Sequence, residues 1–307
     1  MNAEQKQYIE QNIDLIEDGR WEEFFEKAPY GMGGVLYEVG IDFMRDMKQI
    51  PAECFKKSSL TNITIPDSIT SIGGSAFYSC DSLTRVKISD NVTSIGGSAF
   101  QYCSSLKSIT IPNMVTNISG SAFSGCDRLT SIIIPNSVKS IRAWTFYSCT
   151  NLTSVTIPDS VTSIEDYAFS GCASLTSVTI PDSVTSIGQS AFSDCRNLTS
   201  INISDSITSI SSCSFWGCAS LKSITIPDSV TIIGTSAFVG CTSLTSISIP
   251  NSVTSISEDA FNNLGSNVVI NFSGTKEQWK NIYNSNSFKN TYFTVNCSDG
   301  TLHKKKR

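Results

Sequence analysis

The chain of 307 residues carries 22 lysine and arginine side chains against 27 aspartate and glutamate side chains, and only 16% of its residues are charged. Residues 1–58 hold 7 basic and 12 acidic side chains, residues 60–264 hold 8 and 13, and residues 265–307 hold 7 and 2. The long central region is therefore polar but nearly uncharged, without the basic stripe that nucleic-acid binding requires. We expect no nucleic-acid partner.

Hydropathy also excludes a membrane-spanning helix, because no stretch approaches the roughly 18 consecutive apolar residues that a span needs. The first residues, from Met1 to Asp18, are polar and acidic and lack the basic and apolar segments of a secretory signal. Three possibilities stay open: the chain remains inside the cell, leaves by another route, or has a signal outside this sequence. The compartment is therefore not predicted.

Residues 1–49 are predicted to form a helical N-terminal cap. Apolar residues recur at near-helical spacing in three groups, and three glycines precede the third group and are expected to break the chain there. The groups are Tyr8, Ile9, Ile13, Leu15 and Ile16; Trp21, Phe24 and Phe25; and Val35, Leu36, Val39, Phe43 and Met44, with the glycines at Gly31, Gly33 and Gly34. We expect this cap to cover the open sheet edge of the segment that follows.

Residues 60–266 consist of nine repeats of 23 residues without an insertion. Three residue types recur in register and form columns, meaning sets of residues at equivalent positions in successive repeats. The leucine column is Leu60, Leu83, Leu106, Leu129, Leu152, Leu175, Leu198, Leu221 and Leu244; the phenylalanine column is Phe77, Phe100, Phe123, Phe146, Phe169, Phe192, Phe215, Phe238 and Phe261; the cysteine column is Cys80, Cys103, Cys126, Cys149, Cys172, Cys195, Cys218 and Cys241. A period of this length predicts a solenoid of stacked repeats.

The repeat Leu175–Asn197 shows how one turn is built. Val178 and Ile180 alternate with Ser177 and Thr179, which is the period-2 pattern of a short strand. The segment Pro181-Asp182-Ser183 then turns the chain, and the later apolar residues point back into the interior. A single repeat cannot bury its apolar face alone, so we expect the short strands to stack in parallel.

Residues outside the array are predicted to close its two ends. Ile50 and Phe55 have the spacing of Ile72 and Phe77, which indicates a degenerate half-repeat at residues 50–59. A small α+β C-terminal cap is predicted for residues 267–297, with strands at Val268–Phe272 and Tyr292–Asn296 and a helix from Lys276 to Tyr283 that turns Trp279 inward. Residues 298–307 are expected to be a solvated basic tail.

The spacing Leu-x-x-Ile-x-Ile, then Val-x-x-Ile, then Ala-Phe-x-x-Cys resembles the BspA-like leucine-rich-repeat family over about two thirds of the chain. Leu264 in the ninth repeat stands where the other repeats have cysteine, as in more typical leucine-rich repeats. The resemblance implies a leucine-rich-repeat solenoid, mainly β, often curved, with roles in surface attachment and protein binding. It implies no shared catalytic residues.

The repeated polar and sulfur-containing residues have simple structural explanations. The eight column cysteines are expected to be reduced core residues, although a disulfide framework is the alternative. The residues that follow the strands could bind calcium, but we expect each to cap its own turn, a role that asparagine fills equally well in three repeats; they are Asp67, Asp90, Asn113, Asn136, Asp159, Asp182, Asp205, Asp228 and Asn251. The only histidine is His303, and no phosphate loop or Gly-x-Ser-x-Gly motif is present, so we expect no enzyme, metal site or cofactor.

Positions where the repeats differ are the candidates for partner binding. On the solvent side of the strands most repeats have serine and threonine, but four positions depart from this: Arg85, Lys87, Lys107 and Ile133. Exposed aromatic side chains near the phenylalanine turn form a second set, and such residues favour interfaces, although each could simply shield a neighbouring repeat. This second set is Tyr78, Tyr102, Trp144, Tyr147, Tyr167 and Trp216.

These features favour a non-enzymatic protein-binding or adhesion scaffold that presents a Ser/Thr-rich solenoid surface. A glycan partner is a variant of this hypothesis. The alternative is a structural component of a larger assembly, such as a surface layer, a filament or a phage particle. The sequence identifies neither the partner nor the oligomeric state.

Overall fold

The structure is a computed structural model that describes residues 1–266, 268–283, 285–288 and 292–304. It contains two compact units, residues 1–138 and residues 139–307.

The first unit begins with short helices, as the sequence predicted. Asn2 and Gln5 cap the first helix reciprocally, each side chain accepting a hydrogen bond from the other residue's backbone N–H. Trp21, Phe24 and Phe43 are buried at the centre of this helical cap. The helices are α1 (Ala3–Gln11), α2 (Ile13–Glu17), α3 (Trp21–Glu26) and α4 (Met32–Glu38), followed by a 3₁₀ helix at Phe43–Asp46.

The glycine prediction was correct only at Gly31, which has a positive φ of 75° and precedes α4. Gly33 and Gly34 lie inside α4, so they do not break the chain. A side chain at Gly33 would collide with the thiol of Cys54, and one at Gly34 would collide with Ser58. These two glycines therefore allow the helix to pack closely on the half-repeat.

Two short strands per repeat build the rest of the first unit. Parallel pairing connects equivalent residues, as in the pairs Asn62↔Arg85 and Ser71↔Ser94. The strands form one sheet in the order β1-β3-β5-β7 and another in the order β2-β4-β6. Their bounds are β1 (Gln49–Ile50), β2 (Asn62–Thr64), β3 (Ser71–Ile72), β4 (Arg85–Lys87), β5 (Ser94–Ile95), β6 (Ser108–Ile109), β7 (Asn117–Ile118) and β8 (Ser131–Ile133).

The second unit repeats the same pattern. Its parallel sheets are β9-β11-β13, β12-β14 and β15-β17-β19, and a five-stranded sheet has the order β16-β18-β20-β21-β22. The predicted solenoid of parallel stacked strands is thus confirmed in each unit. The bounds are β9 (Ser140–Ile141), β10 (Ser154–Thr156), β11 (Ser163–Ile164), β12 (Ser177–Thr179), β13 (Ser186–Ile187), β14 (Ser200–Asn202), β15 (Ser209–Ile210), β16 (Ser223–Thr225), β17 (Ile232–Ile233), β18 (Ser246–Ile249), β19 (Ser255–Ile256), β20 (Val268–Phe272), β21 (Phe293–Cys297) and β22 (Gly300–Lys304), with helix α5 (Lys276–Ile282) and a 3₁₀ helix at Ser285–Phe288.

The C-terminal end departs from the sequence prediction at its last strand. Residues 300–304 were expected to be part of a solvated tail, but they form β22, which pairs antiparallel with β21. The polar–apolar alternation of Thr301, Leu302 and His303 spans only three residues next to the basic run, which is too short to predict a strand. Lys305, Lys306 and Arg307 lie outside the described residues.

Stacked aromatic rings form the centre of each unit. In the first unit Phe55 stacks on Phe77 at a centroid separation of 4.8 Å, and the stack continues to Phe123. In the second unit it runs from Phe146 to Phe261 and then to Phe288, which lies 4.9 Å from Phe261. The leucine and phenylalanine columns are buried throughout, so the interior is shared between neighbouring repeats.

Candidate binding surfaces

Exposed threonines tie each repeat to the one before it. In the first unit the hydroxyl of Thr93 donates to the carbonyl oxygen of Thr70 at 3.1 Å, and Thr116 donates to Thr93 at 3.4 Å. The backbone N–H of each donates to the same oxygen. The recurring threonines therefore have a structural role, and a departure from them has to be explained by something else.

The four predicted departures, here called the strand-face patch (Arg85, Lys87, Lys107 and Ile133), are all exposed and all lie in the first unit, although Lys107 directly precedes β6 rather than lying in it. Arg85 and Lys87 lie on the same outward side of β4, because side chains two residues apart in a strand share a face. Ile133 is 71% exposed in β8, two repeats beyond Lys87 in the same column, a separation of about 10 Å at 4.8 Å per strand.

Lys107 replaces a threonine that would bond to the preceding repeat. In the same column Thr84 donates through its hydroxyl to the carbonyl oxygen of Thr61 at 2.9 Å, and Thr130 donates to that of Lys107 at 3.4 Å. Lysine at this position has no donor on its Cβ, where the threonine hydroxyl that makes this bond is attached. The substitution therefore removes a contact between repeats and leaves a cation on the surface.

A shallow groove of about 380 Å³ borders the strand-face patch. The groove runs over β6 and β8 and is lined by residues 108–113, residues 131–133 and Asp90. The exposed side chain of Ile133 is thus part of a concave surface rather than an isolated apolar group.

The predicted aromatic residues occupy the turns on either side of the phenylalanine column. Trp144 and Tyr167 have positive φ values of 62° and 58°, a conformation that bulky side chains rarely adopt. Serine holds this column in most other repeats, and the complete column is Ser75, Ser98, Ser121, Trp144, Tyr167, Ser190, Cys213, Ser236 and Asp259.

The structure brings these aromatic residues together in pairs. In the first unit Tyr78 and Tyr102 meet edge to face at 5.5 Å, and the Tyr102 ring lies over Gly125 of the next repeat. In the second unit Trp144 stacks on Tyr167 at 4.1 Å and contacts Tyr147 at 4.8 Å.

Trp216 stands apart from these pairs. It is 40% exposed, and the described residues offer it no ring contact. Shielding of a neighbouring repeat is therefore seen directly for Tyr102, whose ring covers Gly125.

Sequence reasoning missed two lysine side chains that lie near the aromatic rings beside the Tyr78–Tyr102 pair. The ammonium group of Lys56 lies 5.2 Å from the Tyr30 ring and 5.6 Å from the Tyr78 ring, and that of Lys57 lies 5.8 Å from Tyr30. The signal was available, because aligning Phe55 with Phe77 places Lys56 beside Tyr78 in the same column. Tyr30 comes from the helical cap, which has no repeat register to predict its position.

The column cysteines are buried and reduced. Burial raises the pKa of the Cys80 and Cys241 thiols to about 12, from an ordinary value of 9.0. Burial likewise raises the pKa of Cys103, Cys172, Cys195 and Cys218 well above that value. Thiols with such pKa values do not serve as nucleophiles or metal ligands at neutral pH.

The remaining polar groups show no assembled reaction centre in the part of the chain that the structure describes. His303 lies exposed on β22, where its Nδ1 is 3.2 Å from the Thr294 hydroxyl. No group of three or more metal-ligating side chains occurs among the described residues. Within the same residues no helix is long and apolar enough to cross a membrane.

Comparison with known proteins identifies the class. A model of the BspA type leucine-rich repeat region matches residues 48–175 and 162–294, which together cover most of the chain. The chain therefore belongs to the BspA-type leucine-rich-repeat family and is a repeat scaffold. The search of curated proteins found no match.

Several solved structures are similar to the chain. A leucine-rich cell surface protein from Faecalibacterium prausnitzii is 34% identical, over 77% of this chain and 86% of that one, with a TM-score of 0.40. A leucine-rich repeat protein from Bacteroides ovatus is 25% identical, over 81% and 88%, with a TM-score of 0.40. The pneumococcal vaccine antigen PcpA is 21% identical, over 85% and 72%, with a TM-score of 0.52, and it supports the fold alone.

Proposed function

We propose that the chain is a non-enzymatic scaffold that binds a partner protein, in an attachment role, through the outward strand face of its first unit. The exposed Ile133 carries this proposal, because an isoleucine stands 71% exposed at a strand position where every other repeat has a polar residue: lysine in the second repeat and threonine, serine or asparagine in the rest. Burying it against a partner would stabilise the complex by about 1.5–3 kcal/mol.

The surroundings of Ile133 support the same proposal. The groove beside it offers a concave contact area, and Arg85, Lys87 and Lys107 lie in the two preceding repeats as cations that would favour an acidic partner surface. Apolar centres with a charged rim are typical of protein interfaces. The description of the F. prausnitzii relative as a cell surface protein is compatible with attachment.

Reverting the patch to the repeat consensus tests the proposal. The variant carries Arg85→Ser, Lys87→Thr, Lys107→Thr and Ile133→Thr. It should fold and unfold like an array of consensus repeats, but it should no longer bind the partner. The immobilised chain and its variant are used to capture proteins from cell-surface extracts. Captured proteins are identified by mass spectrometry, and the affinity of each is then measured by titration. A matched control reverts Trp144 and Tyr167 to serine in the second unit. Equal capture by the patch variant and the original chain would contradict the proposal.

A glycan is a second candidate partner, favoured by the aromatic pair of the second unit. Trp144 is 38% exposed, and stacking on Tyr167 holds its ring in place, so the part of the ring that stays exposed offers apolar surface of the kind on which sugar rings pack. Binding on a glycan array that the Trp144→Ser variant loses, and that the strand-face variant keeps, would favour this partner.

The opposite charges of the two ends favour the alternative of a structural component. Residues 1–58 have five more acidic than basic side chains, and residues 265–307 have five more basic than acidic ones. Such ends attract one another between copies at low ionic strength. Native mass measurement at micromolar concentration separates the alternatives, since a monomer at low salt would speak against assembly.

A further inference from the structure

The segment that joins the helical cap to the half-repeat continues one of the two strand columns and leaves the other open. β1 lies beside β3 and extends that sheet toward the cap, with Ile50 opposite Ile72. Among the strands that the structure describes, β2 has no such neighbour and is the terminal strand of its sheet. The expected cover of the open sheet edge is therefore not seen at this column.

At Thr64 the backbone N–H group of β2 points toward this open side. The N–H of Ile65 donates to the carbonyl oxygen of Lys87 in the next repeat at 2.8 Å. Because adjacent residues in a strand direct their N–H groups to opposite sides, the N–H of Thr64 points away from β4. Thr64 and Asn62 are both exposed.

The cap brackets the edge without filling it. The Ser59 hydroxyl donates to the carboxylate of Glu38 before β2, and the Ser68 hydroxyl donates to the carbonyl oxygen of Met44 after it, at 2.8 Å. Between these two contacts lies a groove of about 480 Å³. Its lining residues are Tyr37, Gly40, Ile41, Asp42, Met44, Thr64 and Pro66.

The chemistry of the groove defines its occupant. The lining offers apolar surface mainly from the half-buried Ile41, with the buried Met44 beneath it, and outward-directed strand backbone from Thr64, and its only charged residue is the acidic Asp42. An added strand is the ligand that satisfies edge N–H and C=O groups, as in other cases of strand addition. The negative charge of Asp42 favours a basic side chain.

We propose that the open edge of β2 binds an extended peptide segment of another protein as an added strand, with a basic side chain beside Asp42. The site adjoins the strand-face patch, because Thr64 is paired with Lys87, but the added strand would lie on the opposite side of β2 from β4. Because this edge lies in a groove, a single strand can reach it, whereas a sheet of several strands cannot.

The test uses the full chain and a fluorescent, end-blocked seven-residue peptide of alternating valine and lysine. We expect saturable binding by fluorescence anisotropy, together with slower hydrogen exchange at the Asn62 and Thr64 amides. Two further peptides carry N-methyl groups on alternate amides, one peptide on the odd-numbered residues and the other on the even-numbered residues. Only one edge of the peptide pairs with β2, so methyl groups on that edge should abolish binding and methyl groups on the other edge should leave it unchanged.

Variants of the chain locate the site. Thr64→Pro removes the outward N–H, which β4 does not use, and should weaken binding about tenfold or more. The matched Thr64→Val variant keeps the N–H and should bind like the original chain. Asp42→Asn should weaken binding of the lysine peptide and reduce its salt dependence.

Three outcomes would overturn the proposal. The first is equal loss of binding from both methylated peptides, and the second is unchanged binding to Thr64→Pro. The third is a dimer that Thr64→Pro dissociates, which would make a second copy of the chain the occupant. Should Thr64→Pro fail to fold, as judged by its urea unfolding curve, the methylated peptides on the original chain still decide the question.

Discussion

The thiol of Cys195 donates a hydrogen bond to the backbone carbonyl oxygen of Phe169, in the preceding repeat, at 3.3 Å. The same bond joins Cys80 to Phe55, Cys103 to Phe77, Cys126 to Phe100, Cys172 to Phe146, Cys218 to Phe192 and Cys241 to Phe215, at 2.9–3.2 Å. Cysteine is small enough for the interior and still supplies a donor, which alanine or valine would lack. This explains why the column is cysteine without invoking disulfides.

Thiol reactivity should therefore divide sharply between two classes. Nine cysteines are buried, whereas Cys213 and Cys297 are half-buried. We expect Ellman's reagent at neutral pH to react only with these two in the folded chain, more slowly at Cys297 because burial raises the pKa of its thiol, and with all eleven in guanidinium. The double variant Cys213→Ser, Cys297→Ser is the control and should show no prompt reaction. Rapid modification of a column cysteine would mean that the repeats open far more often than their packing indicates.

Stability should fall steeply at alkaline pH. The folded thiols of Cys80 and Cys241 have a pKa of about 12, against an ordinary value of 9.0, because burial disfavours the thiolate. Between pH 9 and pH 12 the unfolded chain loses protons that the folded chain keeps, so the free energy of unfolding decreases as pH rises. Each such thiol contributes a slope of about 1.4 kcal/mol per pH unit in that window, and nothing below it.

A single substitution isolates the thiol contribution from that of tyrosine and lysine. Cys241→Ala removes one buried thiol and its bond to Phe215. We expect the variant to be less stable at pH 7 by about 1–3 kcal/mol, yet to lose less stability per pH unit above pH 9. Urea unfolding at a series of pH values measures both quantities. Parallel stability curves for variant and original chain would show that the thiols do not titrate in this way.

The periodicity of the sequence was sufficient to predict the array, because each repeat packs against neighbouring repeats of nearly the same sequence. It predicted Leu, Phe and Cys columns that the structure buries. It failed where the period changes. Phe288 continues the aromatic stack after Phe261 although the two are 27 residues apart, and the backbone of Phe261 donates to Ser287 as other column phenylalanines donate to alanine.

The candidate surfaces were predicted less completely. Departures from the repeat located Ile133 and Trp144 as exposed residues, which the structure confirms as exposed. Tyr30 and the groove beside β2 could not be found in this way, because both depend on how an unrepeated cap docks on the first repeat. Single-sequence patterns carry no information on such long-range packing.

The end of the aromatic stack should control the C-terminal cap. Phe288 is fully buried between Phe261 and Trp279. Phe288→Ala should destabilise the cap by about 3–5 kcal/mol, because it leaves a cavity at the end of the interior. Since repeats depend mainly on their neighbours, we expect faster hydrogen exchange in β20 and α5 and unchanged exchange in β9 and β11. The matched variant Phe169→Ala should have the opposite distribution, and a uniform loss of protection in both would show that the unit unfolds as a single block.

Lys107 should reveal a conflict between stability and binding. Lysine at this position replaces a threonine whose hydroxyl would bond to the preceding repeat, as the hydroxyl of Thr84 does to Thr61. We expect Lys107→Thr to raise the free energy of unfolding by about 0.5–1.5 kcal/mol, the usual contribution of one hydrogen bond, while weakening the proposed partner. Lys222→Thr makes the same exchange in the second unit, outside the strand-face patch, and should stabilise the chain by a similar amount without affecting binding. Urea unfolding and partner titration on both variants give the comparison. If Lys107→Thr destabilises the chain, the lysine has a structural role and the strand-face patch loses one of its members.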